Sequence, residues 1–143
     1  MQRNFKMGDL KEVQKIAKLS LYESYSLDVF ILIDQAFNCE FIVHSIGGEV
    51  AGFINGVITS EDGARILMLA VHPSWRRRGI GSSLLDTFVA NASRRGMKKI
   101  TLEVRPSNDN AIEFYMARGF EPVGTIDNFY TDGERCINMV RYL

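Results

Sequence analysis

Among its 143 residues the chain has two cysteines, three prolines, two histidines and one tryptophan. Cys39 and Cys136 lie far apart and fit neither a metal-ligand spacing nor a disulfide framework, so both are expected to be idle thiols in a reducing cytosol. His44 and His72 are isolated, and no metal is expected. Charge of one sign is also missing. Seventeen Lys and Arg balance 17 Asp and Glu, so no overall field favours nucleic acid or an anionic membrane. No apolar run approaches the ~20 residues of a membrane span. The opening Met1-Gln2-Arg3-Asn4-Phe5-Lys6 lacks the apolar core of a signal peptide. These absences predict a soluble cytoplasmic protein with no nucleic-acid or membrane partner. Repeats, low-complexity tracts and linkers are absent too, and the length suits one domain over 1–143.

What remains is an ordinary globular balance, 46% hydrophobic and 24% charged, able to build one core. Asp9 with Glu12 reads as a variant capping box, and Leu10, Val13, Ile16 and Ala17 follow at helical spacing, predicting a helix over 9–20. A second short helix is expected over 27–37. Strands follow at 40–46, 49–58 and 64–71, divided by the turn signals Gly47-Gly48 and Glu61-Asp62-Gly63. A helix opens near Gly79, buries a stripe of Ile80, Leu84, Leu85, Phe88, Val89 and Ala92, and stops at Gly96. Then come a strand over 99–105, a helix capped by Ser107 or Asn108 and ending at Gly119, and strands near 120–126 and 134–141. The order, roughly βααβββαβαββ, predicts an α/β fold. Its mixed, mostly antiparallel central sheet has helices on both faces and one right-handed βαβ crossover.

The densest signal runs from Leu67 to Ser82. A buried strand empties into a loop with Arg76, Arg77 and Arg78, and a helix opens on Gly79-Ile80-Gly81-Ser82. The first turn of a helix has backbone N–H groups without internal partners and the positive end of the dipole. Glycines let an anion approach those groups and arginines add charge, which together describe a pyrophosphate cradle. A P-loop needs a lysine after the last glycine, and a dinucleotide fingerprint needs a third glycine where Leu84 stands. Neither fits.

Arg76-x-x-Gly79-x-Gly81 after Leu69-Ala70-Val71-His72-Pro73 resembles the signature of the GCN5-related N-acetyltransferase (GNAT) superfamily. The resemblance covers essentially the whole chain and implies that fold, with acetyl-CoA as acetyl donor and no metal. By it the loop residues Arg76, Arg77, Arg78, Gly79, Ile80, Gly81 and Ser82 hold the pyrophosphate. The backbone of Leu69, Ala70 and Val71 pairs with the pantetheine arm as an added strand.

A second motif runs Leu102-Glu103-Val104-Arg105-Pro106-Ser107-Asn108, then Ala111, Tyr115 and Gly119-Phe120. Ile100, Leu102 and Val104 point to one face of their strand, Thr101, Glu103 and Arg105 to the other. Glu103, on a sheet expected to be covered on both faces, is either paired with a neighbouring arginine or a partly buried general base. Tyr115 is either core or a hydroxyl aimed at the sheet opening. The segment is similar to the subgroup that acetylates protein N-termini, including the ribosomal-protein alanine and archaeal N-terminal acetyltransferases, with Pro106 replacing a small residue. That likeness implies Glu103 as base, Tyr115 as the acid that protonates the leaving thiolate, and Asn108 as a bond to the cofactor arm. No cysteine lies in either motif, so direct attack in a ternary complex is expected.

Leu21-Tyr22-Glu23-Ser24-Tyr25 and Asn128-Phe129-Tyr130-Thr131-Asp132-Gly133-Glu134 resemble the two peptide-walling loops of archaeal and eukaryotic relatives, with Tyr22 in place of a proline. The likeness implies that Glu23, Tyr25 and Tyr130 contact a protein N-terminus. Otherwise the tyrosines pack a hairpin tip and Glu23 is solvated. An α-amine (pKa about 7.7–8.0) costs about 1 kcal/mol to deprotonate at neutral pH and a lysine (about 10.4) about 4.6, which leans toward N-terminal acceptors. A small-molecule amine as acceptor, or a non-catalytic acyl-CoA sensor, stays open. So does the choice between monomer and homodimer. The run Arg94-Arg95-Gly96-Met97-Lys98-Lys99 is read as a solvated helix end.

Overall fold

The computed structural model describes residues 1–58 and 62–143, so Glu61 of the second turn signal lies outside the described residues. The elements are β1 (Gln2–Asn4), α1 (Leu10–Ser20), α2 (Leu27–Gln35), β2 (Cys39–Ile46), β3 (Glu49–Ile58), β4 (Gly63–Val71), α3 (Ile80–Arg94), β5 (Lys99–Val104), α4 (Asp109–Met116), β6 (Glu121–Ile126) and β7 (Cys136–Tyr142), with 3₁₀ turns at Met7–Asp9 and Pro73–Trp75. The strands form one sheet in the order β1-β2-β3-β4-β5-β7-β6. All neighbours are antiparallel except β4 and β5. This is the mixed, mostly antiparallel sheet that the element order predicts.

Two apolar layers sandwich the sheet. On one face Val13, Ile16 and Ala17 of α1 and Phe30 and Ile33 of α2 pack on Phe41, Val43, Phe53, Met68 and Ala70. On the other, Leu84, Leu85, Phe88 and Ala92 of α3 meet Ile54, Ile66, Ile100, Leu102 and Met139, with Ile112 and Tyr115 of α4 alongside. The first layer contains no residue of β5, β6 or β7. The α1–α2 layer rests on β2, β3 and β4 and so, contrary to expectation, does not extend over the face of β5 that carries Glu103.

Local departures have local causes. The N-terminal helix begins a turn early as a 3₁₀ segment, because Asp9 accepts a bond from the Lys6 N–H (2.8 Å) while also pairing with Arg3. Glu12 serves no cap; it accepts from the Val50 N–H at 2.9 Å and ties α1 to β3. The second helix stops at Gln35, leaving Phe37 97% exposed. At the end of α3, Gly96 N–H bonds the Ser93 carbonyl and Met97 N–H that of Ala92, the Schellman arrangement its sequence predicts. Arg95 there pairs with Glu40.

The feature that makes a site is a fork. β4 and β5 pair only at Gly63–Lys99, Ala64–Ile100 and Arg65–Thr101. The β3–β4 register then slips, with Asn55 opposite Met68 but Gly56 opposite Ile66, so Leu67 is an extra residue on β4. The burial pattern records the slip. Ala64 and Ile66 face the α3 layer, Leu67 and Met68 both face the α1–α2 layer, and Leu69 returns to the α3 layer. A bulge bends its strand, and beyond it β4 and β5 diverge.

Candidate active site

The fork opens into a cavity of about 910 Å³. Three groups of residues line it: the upper half of β4 with the start of α3, Leu102 to Val104 of β5 and the following Arg105 with α4, and the α1–α2 loop with Phe129 and Tyr130.

At the helix end, Gly79 takes φ +77°, a left-handed cap that costs a glycine nothing, and Arg77 does the same at φ +64° against its side chain. The loop thereby curls its backbone around the N-terminus of α3, where first-turn N–H groups have no helical partner. The three arginines of the run part company. Arg77 lines the cavity. Arg76 donates to the Val71 carbonyl (3.3 Å) and to Ser20 Oγ (3.0 Å), and so holds the loop to the strand end. Arg78 lies over the Trp75 ring, 4.9 Å from its centre, and does not reach the cavity lining. Its guanidinium is exposed beside Trp75, which sets it apart from the other two arginines. Arg118, which sequence reading missed, lines the cavity as a further cation. Its Nε and Nη2 both donate to Ser82 Oγ, the former at 2.9 Å. Its Nη1 donates to the Phe114 carbonyl at 2.9 Å, and its guanidinium lies 3.8 Å from the Phe114 ring centre.

Along β4 the His72 N–H bonds the Ala51 carbonyl at 2.8 Å. Alternation along an antiparallel strand then points the backbone groups of Ala70 at β3 and those of Leu69 and Val71 into the fork. The Val71 carbonyl is already bound by Ser20 Oγ at 2.9 Å. Leu69 N–H, Leu69 C=O and Val71 N–H are left to meet an extended ligand.

Glu103 and Tyr115 face this fork from β5 and α4. Glu103 is ion-paired with Arg65, whose Nη2 donates to Oε1, so the pairing reading of the residue holds and it lines the cavity as well. Tyr115 is half-buried between Phe114 and Phe120, its ring edge-on to both (5.2 and 5.4 Å). Burial pushes its hydroxyl well above the ordinary tyrosine value, and among the described residues that hydroxyl has no hydrogen-bond partner. Asn108 Oδ1 accepts the Ala111 N–H at 3.2 Å as the cap of α4, and its side-chain amide is left for a ligand.

The opposite wall is built on Arg105, also missed as a site residue although it stands inside the second motif. Its side chain is 8% exposed and donates to Glu23, to Asp132 (2.8 Å) and to Glu134 (2.8 Å). Its guanidinium lies 4.0 Å from the Tyr130 ring centre and 5.5 Å from that of Tyr22. Burial alone works against that cation, but its bonds to Glu23, Glu134 and Asp132 outweigh it and hold its pKa above the ordinary value. One buried charge thus joins the α1–α2 loop to the β6–β7 hairpin, and Glu23 is paired rather than solvated. Tyr25 and Tyr130 stand beside it, both pushed up chiefly by burial and then by the Glu23 charge. No periodicity or spacing reveals such a partnership, because its members come from three separate segments.

The predicted catalytic, substrate-side and cofactor-side residues, Arg78 apart, therefore surround one cavity. Among the described residues no group of His, Cys, Asp and Glu is arranged to hold a metal ion, and no helix is long and apolar enough to cross a membrane.

Comparison with known proteins agrees with this geometry. The model of the acetyltransferase (GNAT) family matches residues 9–120. An N-alpha-acetyltransferase of Sulfurisphaera tokodaii is 32% identical over 92% of this chain and 86% of its own length. A putative ribosomal protein bS18-alanine N-acetyltransferase of Bacillus subtilis is 29% identical over 96% and 91%. The solved structure of Ard1 from Thermoplasma volcanium superposes with a TM-score of 0.95 at 35% identity, covering 100% of this chain and 97% of that one. The chain belongs to the acetyltransferase (GNAT) family and is an enzyme that transfers an acetyl group to an amine.

Proposed function

We propose that the acceptor is the N-terminal α-amine of a protein and the donor acetyl-CoA, and that Glu103 and Tyr115 are the proton-transfer pair. The observation that carries this reading is the single cavity with two unlike arms. One arm offers helix-end N–H groups, Arg77 and Arg118. The other is a tyrosine-lined slot in which Glu23 is already committed to Arg105, along with Asp132 and Glu134 of the adjoining hairpin. A slot for a small polycationic amine would present free carboxylates. The relatives named as N-alpha- and ribosomal-protein alanine acetyltransferases support the same choice.

The fit to the donor rests on this chain's own groups. The curled loop and the first turn of α3 suit a pyrophosphate, and the fork-facing groups of Leu69 and Val71 suit an extended amide arm. Acetyl-CoA supplies a thioester carbonyl as electrophile. Glu103 takes a proton from the ammonium, directly or through water, freeing its nitrogen to attack. The Val71 N–H donates to the carbonyl oxygen as negative charge develops there. Tyr115, protonated at neutral pH and with its pKa raised further by burial, gives its proton to the departing sulfur. It regains one from the former amine nitrogen, which loses its second proton as the amide forms. An α-amine is much nearer its deprotonated form at neutral pH than a lysine is, which suits one carboxylate acting alone.

Thiol release from acetyl-CoA, measured with short free-N-terminus peptides and with a panel of small amines, tests the proposal. Turnover is expected on the peptides. Glu103→Gln and Tyr115→Phe should each lower kcat by on the order of 10²-fold, with little change in the KM for acetyl-CoA. Turnover confined to small amines would overturn the acceptor assignment, and full activity in both variants would overturn the roles.

A further inference from the structure

Arg65 belongs to neither motif and has no place in the chemistry just described, yet it touches the proposed base. It occupies the last register pair of the β4–β5 ladder, opposite Thr101, at the vertex of the fork. Glu103 lies two residues further along β5 on the same face, where ladder bonds have ended. The Arg65 side chain crosses that gap and its Nη2 donates to Glu103 Oε1. Glu103 Oε2 makes no hydrogen bond among the described residues.

Among the described residues, the other groups facing Glu103 are neutral or engaged elsewhere. Asn138 sits directly across on β7, and Cys136 and Tyr130 lie close enough to sense its charge. Arg105, two residues further along the chain, is bound by Glu23, Asp132 and Glu134. Among the described residues Arg65 is thus the one cation bonded to this carboxylate, whose side chain is only 14% exposed. A carboxylate so far out of water needs such a partner. A guanidinium supplies it with a fixed direction, which a flexible ammonium does less well.

We infer that Arg65 is a positioning residue for the transfer: it anchors one oxygen of Glu103 at the vertex of the fork and leaves the other turned to the amine. The inference rests on Glu103 as base and can be tested separately from it. A one-ångström misplacement of a reacting group costs about 10²-fold in rate, which sets the scale of the effect.

The experiment is a double-mutant cycle in kcat over native, Arg65→Gln, Glu103→Gln and the double variant, with Arg65→Lys beside them. Donor binding is followed independently by quenching of the single tryptophan, Trp75, which lines the cavity. Arg65→Gln should lower kcat by about 10- to 100-fold while leaving acetyl-CoA affinity unchanged. The double variant should be no slower than Glu103→Gln, and Arg65→Lys should recover part of the loss. Multiplicative losses in the double variant would overturn the inference, since Arg65 would then act independently of Glu103. So would a native kcat in Arg65→Gln. Lost acetyl-CoA binding in Arg65→Gln would count against it as well, by showing a general structural role. Native kcat in Glu103→Gln is a different result, and it would remove the base assignment itself.

Discussion

Three arginines outside the glycine-rich loop organise this site, and each does so through a different physical property. Arg65 offers one directed bond to one carboxylate. Arg105 is a buried charge large enough to hold three acids and two aromatic rings. Arg118 uses its flat face on Phe114 and its edge on Ser82. The last has a consequence for donor binding. Because Ser82 Oγ already accepts from Arg118, its own proton is free to donate to a phosphate oxygen at the start of α3. Arg118→Gln removes the charge and that polarisation together, and should raise the KM for acetyl-CoA roughly tenfold, the loss of one charge-assisted bond, with kcat retained. An unchanged KM would show that Arg77 and the helix end suffice. Tyr115 makes the complementary point about environment. Its aromatic neighbours exclude water, and that burial raises its pKa.

Among the elements, the two acceptor-side loops are separate in sequence and share a single fastening. The Arg105 bond holds Glu134 below the usual carboxylate range. Asp132 is lowered first by the Glu134 N–H and then by Arg105. For groups depressed in the folded state, the stabilisation is present above their ordinary values near 4 and is lost as pH falls through the folded values. The hairpin is therefore expected to stay docked at neutral pH and to loosen in acid. The Tyr130 ring resonances, shifted by the guanidinium 4.0 Å away, should move toward free-tyrosine positions below about pH 4. Arg105→Gln should produce the same spectrum at pH 7 and raise the peptide KM by on the order of tenfold, sparing the acetyl-CoA KM. Tyr130 resonances that ignore both perturbations would mean the hairpin is held by something other than this charge.

For the molecule as a whole, the fork depends on how tightly α3 lies on the sheet beside the bulge. Gly56 is opposite that bulge, and a Cβ there would run into the Arg65 carbonyl and come within 2.7 Å of the Phe88 ring. Gly56→Ala is expected to cost about 1–3 kcal/mol through overpacking. At roughly 2–4 °C per kcal/mol for a chain of this size, the melting temperature should fall by several degrees. Because the clash displaces the segment that presents Arg65, activity should fall as well at temperatures where the protein is still folded. A native melting curve would show that the helix can back away without cost.

Much of this was legible in the linear chain. The α3 stripe, the Gly96 stop and the two glycines of the phosphate loop are short-range effects, set by side-chain period and by φ angles that only certain residues tolerate, and a sequence displays such things directly. Glu103 and Tyr115 were legible as members of a motif, while the pairing of Glu103 remained open until Arg65 was seen beside it. The sequence by itself thus determined the element order, the glycine-opened helix end and the strand face that carries Glu103. Only the tertiary structure decided where the sheet splits, that Arg78 turns away while Arg118 turns in, and that one buried arginine joins two distant loops. Those outcomes depend on a one-residue slip in strand register and on bonds between residues 27 to 82 positions apart. Such contacts are selected by the competition of whole surfaces for burial, which no local pattern encodes.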